Sequence, residues 1–301
     1  MVRIATIPLQ RTLFDAIGQS QLRLAEAQQQ MASGKKATTL SALGSEAVRT
    51  LSARSLLARQ QSEAVVANRL KSTLALVDSH LTAADDSLGS LKTQLLKGIG
   101  EGRTDGLQGI IDEAFQTFRV AMNADEGGAP LFGGAQVDLP FKPATLADTI
   151  GMATSAAFTN DQVKSTARVA DGLDVTVGIV ASDIGSDVFE AFRTLAEAGT
   201  IGTVPTAAQS AALQTAAAKL DSGIKQLRAQ SSENGRRQAQ VDTLADRASE
   251  RSTILQDLIS KNEDADMAEV ASKLTLRQTA LQASYSVFAK LSGLSLVNYL
   301  R

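Results

Sequence analysis

Residues 9–129 contain no proline, and neither do residues 206–301; the five prolines are Pro8, Pro130, Pro140, Pro143 and Pro205. Proline inside a helix removes a backbone donor and costs about 3 kcal/mol. Two proline-free ends around a turn-rich middle therefore permit long helices at both ends. Both ends also carry heptads, so the first and last thirds of the chain are expected side by side. The fold class this predicts is mainly α: an elongated antiparallel helical rod or coiled coil from both chain ends, with a small α+β module inserted in the middle.

The clearest heptad run is Leu70, Leu74, Val77, Leu81, Ala84, Leu88, Leu91 and Leu95, which alternates steps of four and three without a break. Such a stripe is the seam of a left-handed helix pair. A helix from Ser45 to Lys97 would span roughly 80 Å at 1.5 Å per residue. The glycines at 98, 100, 102 and 106 are expected to stop it. A shorter helix should follow, with Leu107, Ile111, Phe115, Phe118 and Met122 on one face.

At the other end, Thr206 and Gln209 form a capping-box pattern directly after Pro205. The heptad then passes through Leu213, Ala217, Leu220, Ile224 and Leu227, turns polar at Ser231, Asn234 and Gln238, and resumes at Val241, Ala245, Ala248, Ser252, Leu255 and Ile259. The intramolecular seam is thus expected to join Leu70, Leu74, Val77, Leu81, Leu88, Leu91 and Leu95 to Leu220, Ile224, Leu227, Val241 and Leu255.

The outermost segments are weaker. From Arg11 to Ser33 the stripe reads Phe14, Ile17, Gln21, Leu24, Gln28 and Met31, half of it polar or weak, too little for a helix stable alone. Gly34 is a suitable C-terminal cap, and Ser45-Glu46 starts the next helix after a polar stretch. Beyond the acidic stretch from Asn262 to Asp266, a last amphipathic helix carries Met267, Val270, Leu274, Leu281, Phe288 and Leu291.

Residues 125–205 differ in texture: they hold ten of the 22 glycines, four of the five prolines and five of the nine phenylalanines. Leu173, Val175, Val177 and Ile179 alternate as a strand, and Val163, Ala167 and Val169 do so more weakly. Asp171-Gly172 between them is a hairpin signal. A three-residue loop, Ala170 to Gly172, is expected, pairing Val169 with Leu173 and Ala167 with Val175. A short helix with Phe189, Phe192 and Leu195 closes the module.

Little here suggests chemistry. Net charge is −2, and no basic tract interleaved with aromatics marks a nucleic-acid surface. There is no cysteine, and the sole histidine, His80, lies within a heptad helix. Gly34-Lys35-Lys36 is not a phosphate loop, because position 29 is Gln and position 36 is neither Ser nor Thr. The acids at 85–86 and 263–266 lack a surrounding oxygen-rich loop and read as helix-start residues. No catalytic, metal or cofactor residue is expected. The N-terminal stretch lacks the apolar run of a signal peptide, and the long uncharged stretch at 199–218 is too polar for a membrane span.

Five motifs point further. Met31-Ala-Ser-Gly-Lys-Lys36, followed by a polar turn and a long helix, resembles the N-terminal signature of the bacterial flagellin superfamily. Asn262 to Val270 is similar to the acidic lead-in to that superfamily's last helix. Gln278 to Phe288, Gly293 to Leu300 and Pro130-Leu-Phe-Gly-Gly134 resemble the branch that joins the flagellar hook to its filament. Where that superfamily often has an Asn-Pro-x-Asp-Asp-Pro-like turn after Lys36, this chain has no proline.

The resemblance implies a structural subunit, exported through the flagellar type III channel without a cleaved signal peptide and assembled outside the cell. It implies terminal inner-tube helices at 1–40 and 265–301, a helical rod at 41–130 and 205–264, and an outward-facing module at 131–204. Assembly residues would be Phe14, Ile17, Leu24, Met31, Leu274, Leu281, Tyr285, Phe288 and Leu291. Partners would be further copies, the hook-side junction protein, flagellin and an export chaperone, with neither nucleic acid nor membrane insertion. A filament flagellin and a non-flagellar coiled-coil scaffold or adhesin remain alternative readings.

Overall fold

A computed structural model describes the backbone of residues 6–297 and the side chains of residues 11–290. Among the described residues, seven α-helices and two small hairpins divide between two compact units, one comprising residues up to 60 and from 250 on, the other residues 61–249. Helix α2 (Glu46–Glu101) and helix α6 (Ala207–Glu263) contribute to both units.

The first unit holds helix α1 (Thr6–Ser33) packed against helix α7 (Met267–Val297), with the start of α2 and the end of α6. Pro8 falls in the first turn of α1, where its missing donor has no intrahelical role. Gly34 ends α1 at φ +68°, its N–H donating to the Gln30 carbonyl at 2.8 Å. A 3₁₀ turn (Leu40–Leu43) and Gly44, at φ +60°, take the place of a proline turn before α2.

The inward stripe of α1 is offset from the one read from sequence. Ile17, Leu24 and Met31 lie on it as expected, but they alternate with Leu13, Ser20 and Ala27, while Phe14, Gln21 and Gln28 are exposed. Ala27, the most buried of these at 1% exposure, admits a closer neighbour than Gln28 could.

The second unit is built on the seam between α2 and α6. Leu70 to Leu95 are buried at every heptad position, and so are Leu213, Leu220, Ile224, Leu227 and Val241. Helix α3 (Leu107–Met122) buries Leu107, Ile111, Phe115, Phe118 and Met122. A two-strand turn follows, β1 (Asp125–Glu126) against β2 (Ala129–Pro130), then the short helix α4 (Thr154–Ala157). Strands β3 (Thr166–Ala170) and β4 (Leu173–Thr176) form the second hairpin, and helix α5 (Ala181–Glu197) leads toward α6.

Phe132, Phe141, Phe158, Phe189 and Phe192 pack with Phe115 and Phe118 of α3 in one aromatic cluster. Phe141 lies at its centre, its ring centroid 5.3–6.2 Å from those of four neighbours. Asn123 fixes that position by bracketing the Phe141 backbone, donating to its carbonyl at 2.9 Å and accepting from its N–H at 2.8 Å. This cluster is continuous with the α2–α6 seam, so residues 131–204 share the core of the helices beside them.

Two local expectations change. Helix α2 does not stop at Gly98 but runs to Glu101 and ends at Gly102, φ +62°. Gly98 instead admits the returning chain: a methyl there would meet Thr104 Cγ2 at 2.9 Å. In the second hairpin Ala167 pairs with Val175 as expected, and Gly172 takes φ +71°. However, Ala170 rather than Val169 faces Leu173, leaving Asp171-Gly172 as the loop. Val169 becomes the extra residue of a bulge and turns into the core at 2% exposure. The capping box of α6 is complete: Gln209 N–H donates to Thr206 Oγ1 at 3.2 Å, and Thr206 N–H to Gln209 Oε1 at 3.0 Å.

Candidate assembly interface

Gly34-Lys35-Lys36 and the acidic stretch 262–266 are partners. Lys35 and Asp264 form an antiparallel bridge, with Lys36 N–H donating to the Glu263 carbonyl at 2.7 Å and Ala265 N–H to the Gly34 carbonyl at 2.9 Å. The Lys35 ammonium donates to the Asp264 carboxylate and lies 3.7 Å from Glu263. That hydrogen bond holds the Asp264 carboxyl below its ordinary range, helped by the Ser260 hydroxyl, and raises the Lys35 ammonium.

Beneath this exposed pair lies a second, in which the acid is buried and the base is exposed. The Glu263 side chain is only 6% exposed and receives Arg54 Nη2 at 2.7 Å. Asn262 donates to the fully buried Thr50 hydroxyl at 3.1 Å. Asp266 Oδ1 caps α7, accepting from the N–H groups of Ala268 and Glu269. These acids thus act as helix-end and ion-pair residues. Among the described residues, no group of His, Cys, Asp or Glu is placed to hold a metal, and no helix is long and apolar enough to cross a membrane.

The rest of this unit is poor in apolar burial. Its buried apolar side chains, among those described, are Ile17, Ala27, Ala53 and Val270. Leu24, Met31, Leu274, Leu281 and Phe288 are half-buried, while Phe14 and Tyr285 are 59% and 45% exposed. Phe14 meets Phe288 edge-on at 4.9 Å, and Gln21 donates to the Tyr285 hydroxyl at 2.6 Å. The Leu291 side chain and the motif from Gly293 to Leu300 lie outside the residues whose side chains are described. Leu22, Val48, Leu51, Leu276 and Val287, none singled out from sequence, stand 49–74% exposed. Their signal was present as apolar residues off the main stripe, which single-stripe periodicity discards.

Of the seam residues, Leu70, Leu74, Val77, Leu81, Leu88, Leu91, Leu95, Leu220, Ile224, Leu227 and Val241 lie buried in the second unit. Leu255 is only half-buried, in the first. His80 is half-buried on α2.

Residues 217–300 match the model of the bacterial flagellin C-terminal helical region. A Vibrio parahaemolyticus protein assigned to the flagellar hook-associated proteins shares this fold at TM-score 0.62 and 18% identity, covering 74% of this chain and 100% of its own. FlgL of Bacillus cereus does so at TM-score 0.57 and 15% identity, covering 70% of this chain and 98% of its own. No curated protein matches the chain by sequence.

Proposed function

We propose, for a chain whose residues 217–300 match the bacterial flagellin C-terminal helical region, a structural role at the junction between flagellar hook and filament. The observation that carries the assembly reading is the composition of the first unit. It leaves exposed large apolar residues such as Phe14, Leu22, Leu51 and Leu276 while burying few. A unit of this kind gains its missing burial from neighbours, at about 25 cal/mol per Å² of apolar surface covered. Subunits joined head to tail bury unlike surfaces and build rings or tubes. Likeness to two hook-associated folds favours the junction over the filament.

In this reading residues 1–40 and 265–301 line an inner tube, 41–130 and 205–264 surround it, and 131–204 face outward. The partners are further copies, the hook-side junction protein and flagellin, and a chaperone accompanies the chain to the type III channel. The role is structural, without catalysis.

Deleting the gene tests it. Hooks should remain while flagellin is exported but lost to the medium as monomers. Mass spectrometry of sheared filaments beside the medium reads the result. This chain as the dominant filament protein, with no other flagellin shed on deletion, would establish filament flagellin instead; the acidic lead-in at 262–266 is the feature that favours that second reading.

A further inference from the structure

Asn234 and Gly235 lie inside α6, in the polar stretch of the second unit's seam. Asn234 is fully buried, and its Nδ2 donates to the Leu74 carbonyl at 2.9 Å. Gln238 Nε2 donates to the same carbonyl at 3.0 Å, and the Ser231 hydroxyl to Asp78 at 3.1 Å. The Asn234 Oδ1 has no hydrogen-bond partner.

Gly235 has no packing reason to be glycine. Its φ is not positive, and a methyl placed on it would meet nothing within 4 Å. Alanine is the better residue inside a helix. What glycine does leave is an unshielded backbone nitrogen directly after an asparagine side chain. Of the six asparagines only Asn234 precedes a glycine; the others precede Arg, Ala, Asp, Glu and Tyr.

We propose that Asn234-Gly235 is a spontaneous deamidation site that the folded α2–α6 seam holds shut and unfolding opens. The Gly235 nitrogen attacks Asn234 Cγ, forming an N–Cγ bond. The Cγ–Nδ2 bond breaks, and ammonia leaves with the proton given up by Gly235. Water then adds to either carbonyl of the five-membered imide, and ring opening yields Asp or isoaspartate at 234. Ring closure requires the Asn234 ψ to leave its helical value and the Gly235 N–H to leave the i to i−4 ladder. Inside α6 neither is free to do so, and the buried side chain is shielded from water.

The reaction is also one-way for the fold. Aspartate at 234 offers no N–H to the Leu74 carbonyl and sets a buried carboxylate against that oxygen. Isoaspartate adds a carbon to the backbone of α6 and breaks its hydrogen-bond register. Time spent unfolded is therefore written into the chain at this position, independently of the flagellar reading.

The full-length protein incubated at mildly alkaline pH, folded and in guanidinium, tests this by peptide mass spectrometry and isoaspartate detection. In guanidinium, Asn234 should convert ahead of the other five asparagines. In the folded protein it should convert roughly a hundredfold more slowly or less, because reaction waits on local opening. Gly235→Ala should keep the fold and suppress conversion in guanidinium, and Asn234→Asp should lower the melting temperature. Equal rates in the folded and denatured chain, sparing of Asn234 in guanidinium, conversion undiminished by Gly235→Ala, or an unchanged melting temperature for Asn234→Asp would each overturn the proposal.

Discussion

Lys35 donates its ammonium proton to the carboxylate of Asp264, 229 positions further along the chain, and the same two residues pair through their backbones. The ion pair is exposed on both sides, so it adds a few tenths of a kcal/mol at most. Arg54 and Glu263 differ, because the Glu263 carboxylate is almost out of water. Arg54→Ala should therefore cost about 1–3 kcal/mol, against less than about 1 kcal/mol for Lys35→Ala. Amide exchange across the start of α7 in the two variants measures this, and equal protection refutes the ranking.

Asp221 accepts hydrogen bonds from Lys225 and Lys92, with Lys225 the larger influence, and its carboxyl is drawn down to about 2. A carboxylate whose folded value lies below its unfolded one stabilises the fold above the unfolded value, here 3.8. That stabilisation disappears as pH falls from 3.8 toward about 2. A carboxyl-carbon titration followed by NMR should give the low midpoint, and Lys225→Ala should raise it. A midpoint that ignores the substitution contradicts the assignment.

Phe141→Ala should be among the most damaging substitutions in the second unit. The ring contacts four others, so truncation leaves a cavity that no single neighbour can fill. We expect a loss of about 3–5 kcal/mol, read by denaturant unfolding. Val137→Ser, at 84% exposure, should change stability by less than about 0.5 kcal/mol. Comparable losses for the two would mean that the aromatic cluster is not the core.

Gly134 and Gly100 should respond to alanine in opposite directions. At Gly134 the backbone has φ +69°, and a methyl would fall 2.2 Å from Asp161 Oδ1, a carboxylate that also accepts from Ala135 and Val163 N–H groups. Gly134→Ala should destabilise by about 2 kcal/mol or more, and the loss should be smaller when measured in an Asp161→Ala background. Gly100→Ala meets open space within α2 and should stabilise by up to about 1 kcal/mol. Thermal melts of the four variants decide both signs.

How much was legible depended on side-chain size. Leu70 to Leu95 could be read because every position of that seam except Ala84 is a bulky aliphatic residue, and periodicity measures bulk. In α1 the same reading chose Gln21 over Ser20 and Gln28 over Ala27, since serine and alanine carry almost no hydrophobic signal even where they face inward. Gly98 read as a helix stop because the close pass of Thr104 is tertiary and leaves no local mark. Lys35 and Asp264 were each visible as ordinary helix-end residues. Nothing in either segment announced that their charges meet, because complementarity across 229 positions is not periodic.

The clasp at Lys35 and Asp264 also sets an order of events during folding. For a flexible chain, closing a loop of that length costs about 5 kcal/mol in entropy, more than an exposed ion pair and two backbone hydrogen bonds return. Once the second unit has formed, Ala67 and Val241 share one cluster, and the free chain still to be closed shrinks to the short stretches beyond them. The clasp is therefore expected to close late, after the chain between its two ends has folded.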